Sequence, residues 1–317
     1  MSESSVGWAF VGTSGWVDGR FAPSVRAAGQ RVVGAFGSSP AGSARFADKH
    51  GGTAYESLAE MLADDAVDAV WVASPTAAHP EHARAVAASG KALLVEKPLA
   101  VDVPSAGSLV RELVPATPVA GVGFQHRFNA GVRALADALA TGQAGTLSSV
   151  ALHHCVAGPA RPTEWRTDPA LSGGWSITDL GAHLLDTARF LLGDLEFVAA
   201  RLSSPGRSLA VDDLSCLMLT RGPATVIVRA STGTPGPPSY IEVSGTEGWL
   251  RLTGFWTGGG TLVDSDGKVT EIPAEDPYVA QVAAFSAAVR GEPWPGASLE
   301  DGARIVELTS AARDFRG

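Results

Sequence analysis

Cysteine is nearly missing from this chain. Its 317 residues include two, Cys155 and Cys216, with no CxxC pair and no disulfide framework, a usage that suits a reducing compartment. Long hydrophobic runs are missing too. Nothing approaches the roughly 18 consecutive apolar residues of a membrane span, and the N-terminus, MSESSVGWAFVG, lacks the basic region and apolar length of a signal peptide. Basic charge is in deficit, with 24 Lys and Arg against 33 Asp and Glu and a formal net charge of −9. This argues against broad contact with nucleic acid or an anionic membrane, while leaving room for a local basic pocket. No internal repeat or low-complexity linker interrupts the chain. The expectation is a soluble, cytoplasmic protein of ordinary globular composition, 45% hydrophobic and 18% charged, long enough for two domains.

The first 123 residues alternate short apolar runs with helical patterns. VGWAFVG, RVVGAF, DAVWVAS and ALLVEKP read as strands, separated by helices near residues 19–29, 41–50 and 80–89. This alternation predicts a Rossmann-type parallel sheet covered on both faces, an α/β domain spanning residues 1–123. Residues 124–317 read differently. Asn129 is placed to cap a helix through Ala140, and strands dominate from Thr146 onward. ATVIVRAS puts Ala, Val, Val and Ala on one face, YIEVSGTEGWLRL reads as two strands around a turn, and DSDG marks another hairpin. An α+β domain on an open, mainly antiparallel sheet is expected there, closed by helices at DPYVAQVAAFSAAVRG and at residues 299–314.

The turn after the first strand is GTSGWV. Against the dinucleotide fingerprint G-x-G-x-x-G/A, Gly12 holds the first position, Ser14 the second and Val17 the third, with Thr13, Gly15 and Trp16 between them. Gly12 permits a tight turn, Ser14 is small enough for a close approach, and its hydroxyl is a phosphate donor. A bare glycine-rich turn between strand and helix explains the same letters. The second strand ends in Gly37, Ser38 and Ser39, where an acid would hold the ribose diol of NAD. With no carboxylate to repel a 2′-phosphate, and two hydroxyls at a helix N-terminus, NADP is the expected cofactor and NAD the alternative. Ser39 also reads as an N-cap with Pro40 at N1, and Arg45 is a weaker phosphate partner.

LLVEKPLA breaks a buried strand with Glu96, Lys97 and Pro98. Proline cannot continue a sheet interior, so a charged pair is presented at the end of an open α/β sheet where ligands bind.

This string, preceded by SPTAAHPEHARAVAASGK and followed by EWRTDPALSGGWSITDLGAHLLDTARFLLGD, resembles the glucose–fructose oxidoreductase / inositol dehydrogenase (Gfo/Idh/MocA) family. Within that family the phosphate loop and the acid-free second turn most resemble the NADP-using 1,5-anhydrofructose reductase branch. Two departures stand out, Trp175 for the third glycine of a GGG run and Val17 in the phosphate loop.

The resemblance implies an oxidoreductase that moves hydride between a nicotinamide and a sugar, polyol or related cyclic compound. It implies Lys97, Asp179 and His183 as catalytic residues. It further implies Ser74, Pro75, Thr76, His79, Glu96 and Lys97 beside the cofactor, and Gln125, Arg127, Trp165, Arg166 and Trp175 on the substrate side. Commonly dimeric or tetrameric relatives imply self-association. Spacing alone shows that Asp179 and His183 share a helix face, as any polar pair does. The proton chemistry suits histidine, which titrates near neutrality. LHHC places His153 and Cys155 on one side of a strand and His154 on the other, and no metal site is expected. A catalytically silent dinucleotide sensor, and a glycosidase working through transient oxidation, remain as alternatives.

Overall fold

A computed structural model describes residues 5–158, 164–205 and 209–316. By its internal contacts the chain forms two units, Met1–Gln125 with Tyr278–Ala303, and His126–Pro277 with Arg304–Gly317. The sequence assigned everything after residue 123 to one domain. Instead, the segment beginning at Tyr278 packs on the first unit, because its apolar residues Val282 and Phe285 complete that unit's core.

The first unit is built on six strands, β1 (Gly7–Val11), β2 (Arg31–Phe36), β3 (Thr53–Ala54), β4 (Ala69–Val72), β5 (Ala92–Val95) and β6 (Ala120–Val122). All pairings are parallel and the order is β3-β2-β1-β4-β5-β6. Every residue of β1, β4 and β5 is buried, as expected of strands covered on both faces. Their apolar runs are accordingly continuous. Aromatic rings fill one side of the sheet. Trp71 lies flat on Phe21, with centroids 4.3 Å apart, and Trp8 packs on Phe285 at 5.4 Å. Trp8 is fully buried, and its indole N–H donates to Ser286 Oγ at 3.1 Å, which satisfies the one polar atom of the ring.

The second unit carries an eight-stranded sheet: β7 (Leu147–Cys155), β8 (Glu196–Ser203), β9 (Leu214–Arg221), β10 (Ala224–Ser231), β11 (Tyr240–Gly245), β12 (Gly248–Thr253), β13 (Gly260–Asp264) and β14 (Val269–Ile272). The order is β14-β13-β12-β11-β7-β10-β9-β8, antiparallel except where β10 runs parallel to β7. Ala224, Val226, Val228 and Ala230 of β10 are buried, and Ile227 on the alternate face is exposed. The helix Ala130–Ala140 starts where the sequence placed it, with the Asn129 side chain accepting from Val132 N at 3.1 Å. Among the described residues no helix is long and apolar enough to cross a membrane.

Candidate active site

The strand order reverses at β1, which has β2 on one side and β4 on the other. The crevice at such a switch point is the ligand site of open parallel sheets. Gly12 leaves β1 with φ +117°, and a Cβ there would sit 2.6 Å from the Ala73 carbonyl. Only glycine suits this approach. Its N–H donates to Phe36 O at 2.7 Å, tying the turn to the end of β2. Ser14, Gly15 and Trp16 are exposed, with the Trp16 ring 52% accessible. Val17 is fully buried, so its side chain belongs to the core and only its backbone faces the turn. Thr13 Oγ1 lies where a Cβ of Gly37 or Gly42 would come within 2.6 Å. The first and second turns therefore interlock through one hydroxyl. Ser39 caps the helix Pro40–His50, accepting from Gly42 N at 3.1 Å, while Ser38 is exposed. These features, an exposed turn with a close-approach glycine and hydroxyls at a helix N-terminus, fit a dinucleotide's phosphates.

The loops after β4 and β5 are braced together from inside. The His79 ring is 1% exposed and both its nitrogens meet backbone carbonyls, Nδ1 with Pro98 O and Nε2 with Ser74 O, each at 2.9 Å. A neutral imidazole has one N–H, so only one of these contacts is a donated hydrogen bond. Burial pulls its pKa down to about 4, against the opposing pull of the two carbonyls. His79 is thus a brace between the two loops, and its ring is not a surface offered to a ligand. Ser74 Oγ meets His82 Nδ1 at 2.9 Å, and Thr76 is buried at the start of the short turn Thr76–Ala78 that follows Pro75. Glu96 accepts from the Trp71 indole N–H at 3.1 Å and so faces the sheet. Lys97, half-buried, precedes Pro98 across a cis peptide bond. Gln125 is buried at the start of the turn Gln125–Phe128.

In the second unit Asp179 lies in a π-helical turn, Ile177–Gly181, that runs directly into the helix Ala182–Leu192 carrying His183. The wider turn still leaves residues four apart on one side. Asp212 anchors the start of this element. Its carboxylate accepts from Trp175 N at 3.1 Å, from Ile177 N at 2.8 Å and from the Ser176 hydroxyl. Trp175 is 3% exposed, so the indole that departs from the glycine run is stowed in the interior. Trp165 and Arg166 pair in a cation–π contact at 4.4 Å.

Arg127, expected on the substrate side, is paired within the second unit. Its guanidinium forks onto Asp186, Nε at 3.0 and 3.1 Å and Nη2 at 2.6 Å, in a buried ion pair. Asp186 is the last residue of the G-x-H-x-x-D string, so a motif position without an assigned role proves to hold the candidate arginine. Sequence reading also missed three rings. His126 lies 5.1 Å from His183 at 86°, and Trp256 contacts His126, His154 and His183 at 4.4, 3.7 and 5.7 Å. Burial, with His153 nearby, lowers the pKa of His154 to about 4, while Asp179 acts in the opposite sense. Its imidazole is therefore neutral near pH 7. Among the described residues no group of three His, Cys, Asp or Glu side chains is arranged to hold a metal ion.

Two family models divide this chain between them. One, an oxidoreductase family with an NAD-binding Rossmann fold, matches residues 6–124, and the other, a GFO/IDH/MocA C-terminal domain, matches residues 132–251. Over 310 residues the chain is 32% identical to 1,5-anhydro-D-fructose reductase of Ensifer adhaerens, covering 93% of this chain and 91% of that one. It is 28% identical to an NADP(+) D-xylose 1-dehydrogenase of Haloferax volcanii, covering 95% and 94%. A 3-ketoreductase from Actinomadura kijaniata, solved with NADP and TDP-benzene, superposes with a TM-score of 0.86 at 25% identity, covering 98% and 97%. The chain belongs to the Gfo/Idh/MocA family of NAD(P)-binding oxidoreductases.

The depressed pKa of His79 has a consequence for stability. An unfolded histidine takes up its proton near pH 6.5, and the folded ring does so only near pH 4. The unfolded chain thus gains protons first as pH falls, and stability present above pH 6.5 is lost progressively down to pH 4. A shift of this size corresponds to roughly 3 kcal/mol. Urea unfolding of wild type and His79→Gln between pH 7 and 4 should show a steeper fall for the wild type. Parallel curves would remove His79 as the cause.

Proposed function

We propose that this protein is an NADP-dependent dehydrogenase or reductase acting on CH–OH groups of a sugar, polyol or related cyclic carbonyl compound, in the cytoplasm. What carries this reading is the family match across both units with Lys97, Asp179 and His183 all retained. Such a triad has no purpose in a silent dinucleotide sensor. The 1,5-anhydrofructose reductase and xylose dehydrogenase relatives support a sugar-like substrate.

The nicotinamide, when bound, supplies or accepts the hydride, a task no side chain performs. The residues of this chain manage the proton and the charge. His183 gives a proton to the substrate oxygen in reduction, or takes it in oxidation. Asp179 orients the imidazole and stabilises its cation. Lys97 stabilises negative charge as it develops in the reaction. Gly12 and Thr13, with Ser14, Gly15, Trp16 and the Val17 backbone, receive the pyrophosphate, while Ser38 and Ser39 receive the 2′-phosphate. Gln125, Trp165 and Arg166 serve the substrate side.

The outer face of the second unit's sheet supports self-association. Met218 of β9 lies opposite Ile227 of β10, which lies opposite Ala151 of β7, and Met218, Ile227 and Trp249 are about 40% exposed. Contiguous apolar surface of this kind marks interfaces. Light scattering at micromolar concentration should give at least twice the 32.5 kDa of one chain, and Ile227→Glu should shift the protein toward monomer. A wild type that scatters as monomer alone excludes this assembly.

NADPH should bind more tightly than NADH. A carboxylate at Gly37 would test this poorly, since its Cβ would meet Thr13 Oγ1 at 2.6 Å. Ser38 is exposed, and Ser38→Asp places the charge without that collision. Titration of both cofactors should show Ser38→Asp weakening NADPH more than NADH, and tighter NADH binding by wild type would contradict the assignment.

His183→Ala should lower kcat by roughly two to four orders of magnitude, the usual share of general acid catalysis. NADPH affinity should stay nearly unchanged, because His183 lies outside the phosphate turn. The assay follows NADPH absorbance with a panel of keto-sugars. Near-normal kcat in folded His183→Ala, with chemistry rate-limiting, would assign the proton to another group.

A further inference from the structure

We propose that Trp256 is a positioning residue that sets the orientation of the His183 ring. The proposal rests on the reading of His183 as proton donor and adds the element that aims it.

The indole is delivered by a rigid turn. Phe255–Thr257 forms a single 3₁₀ turn between β12 and β13, bounded by Gly254 at φ +73° and Gly258 at φ +103°. Only glycine takes such angles without strain, so the chain can reverse sharply on both sides of the tryptophan. Hydrogen bonds to other segments hold the turn in place. Asn129 Nδ2 donates to Phe255 O at 2.6 Å, Gly254 N to Ser239 O at 2.8 Å, Trp256 N to Ser239 Oγ at 3.4 Å, and Ala130 N to Gly258 O at 3.2 Å. Gly131 permits this contact, since a Cβ there would lie 2.3 Å from Gly259 O. Asn129 thus caps a helix with its carbonyl and anchors the turn with its amide.

Three imidazoles from three elements converge on this indole. His154 of β7 stacks on it at 3.7 Å and 6°, His126 tilts against it at 4.4 Å, and His183 stands perpendicular at 5.7 Å and 89°. His126 in turn meets His183 at 5.1 Å and 86°. A ring touched by two aromatic neighbours at right angles has its plane restricted, and perpendicular contact is a favoured aromatic geometry. Restricting that plane restricts the direction in which the ring nitrogens act. Misplacement by about 1 Å costs on the order of 100-fold in a reaction that depends on alignment. The charged and titratable groups around His183 are Asp179 on its own helical segment, His126, His154, and the Arg127–Asp186 pair one turn along. His154 is neutral above about pH 4, so a proton arriving near neutrality does not go there.

Trp256→Leu, checked for folding by urea denaturation, should lower kcat roughly 10- to 100-fold with KM little changed. Trp256→Phe, which keeps an aromatic wall, should recover most of the loss. A substrate-free measurement stands beside these. A protonated imidazole quenches a neighbouring indole and a neutral one does not, so Trp256 fluorescence reports histidine protonation. The emission of wild type minus that of Trp256→Phe should vary with pH, and His183→Gln should remove the part of that variation that His126, at 4.4 Å, does not supply. Normal kcat in Trp256→Leu, or a pH response that His183→Gln leaves unaltered, would overturn the proposal. A wild type inert toward every carbonyl offered, with the His183-dependent part of the pH response intact, would sink the functional reading and uphold the contact.

Discussion

A guanidinium withdrawn from water has to be paired. In the second unit Arg127 meets that demand with Asp186, in a fork whose side chains are 10% and 1% exposed. Removing one partner of such a pair typically costs about 3–5 kcal/mol, because the other charge is left uncompensated. The pair joins the turn Gln125–Phe128 to the helix Ala182–Leu192 at one register. Sliding the helix by a residue would swing Asp186 away by about 100° and strand the arginine. His126 precedes Arg127 by one position, and His183 precedes Asp186 by three. Holding the ion pair therefore holds His126 against His183, and the alignment of the His183 ring follows from a charge that cannot be left alone.

Much of the fold was legible in the sequence because its signals are local. Fully buried strands read as continuous apolar runs, and the half-exposed β10 read as an alternation that puts Ile227 outside and Val226 and Val228 inside. Asn129 and Ser39 announced helix starts through their side-chain chemistry. What was not legible is where the chain re-enters a unit. The helix Pro277–Val289 is apolar nearly all round, so its sequence says that it is buried without saying against what. The answer lies in Phe285 against Trp8, residues 277 positions apart. A one-residue departure such as Trp175 was similarly opaque, since its letter gives bulk but not direction.

The site was legible where a motif keeps its spacing and opaque where it depends on convergence. Lys97 at a strand end and Asp179 with His183 on one helical side are short-range facts. His126 and His154 come from a turn and a strand, Trp256 from a hairpin connection more than 100 residues further along the chain, and no period relates them. The glycines flanking Trp256 in GFWTGGG read as turn chemistry and carry no hint of a ring beside a histidine. Asp212 was missed for a related reason. It lies 33 residues beyond Asp179 and acts by accepting from Trp175 N, Ile177 N and the Ser176 hydroxyl at the start of the element that bears Asp179.

Local surroundings sort the histidines of this protein by task. His79 and His154 are both held neutral near pH 7 by loss of water, with pKa values near 4. Each is then free to act by shape alone, His79 as a brace between two loops and His154 as a flat ring under an indole. Had either carried a charge near neutrality, it would repel a second cation close by: Lys97 in the case of His79, a protonated imidazole in the case of His154. Keeping His154 uncharged spares the rings that share the Trp256 indole with it a second positive charge. All of these rings are buried, so chemically identical side chains are told apart by the carbonyl, carboxylate or aromatic ring that has replaced the lost water.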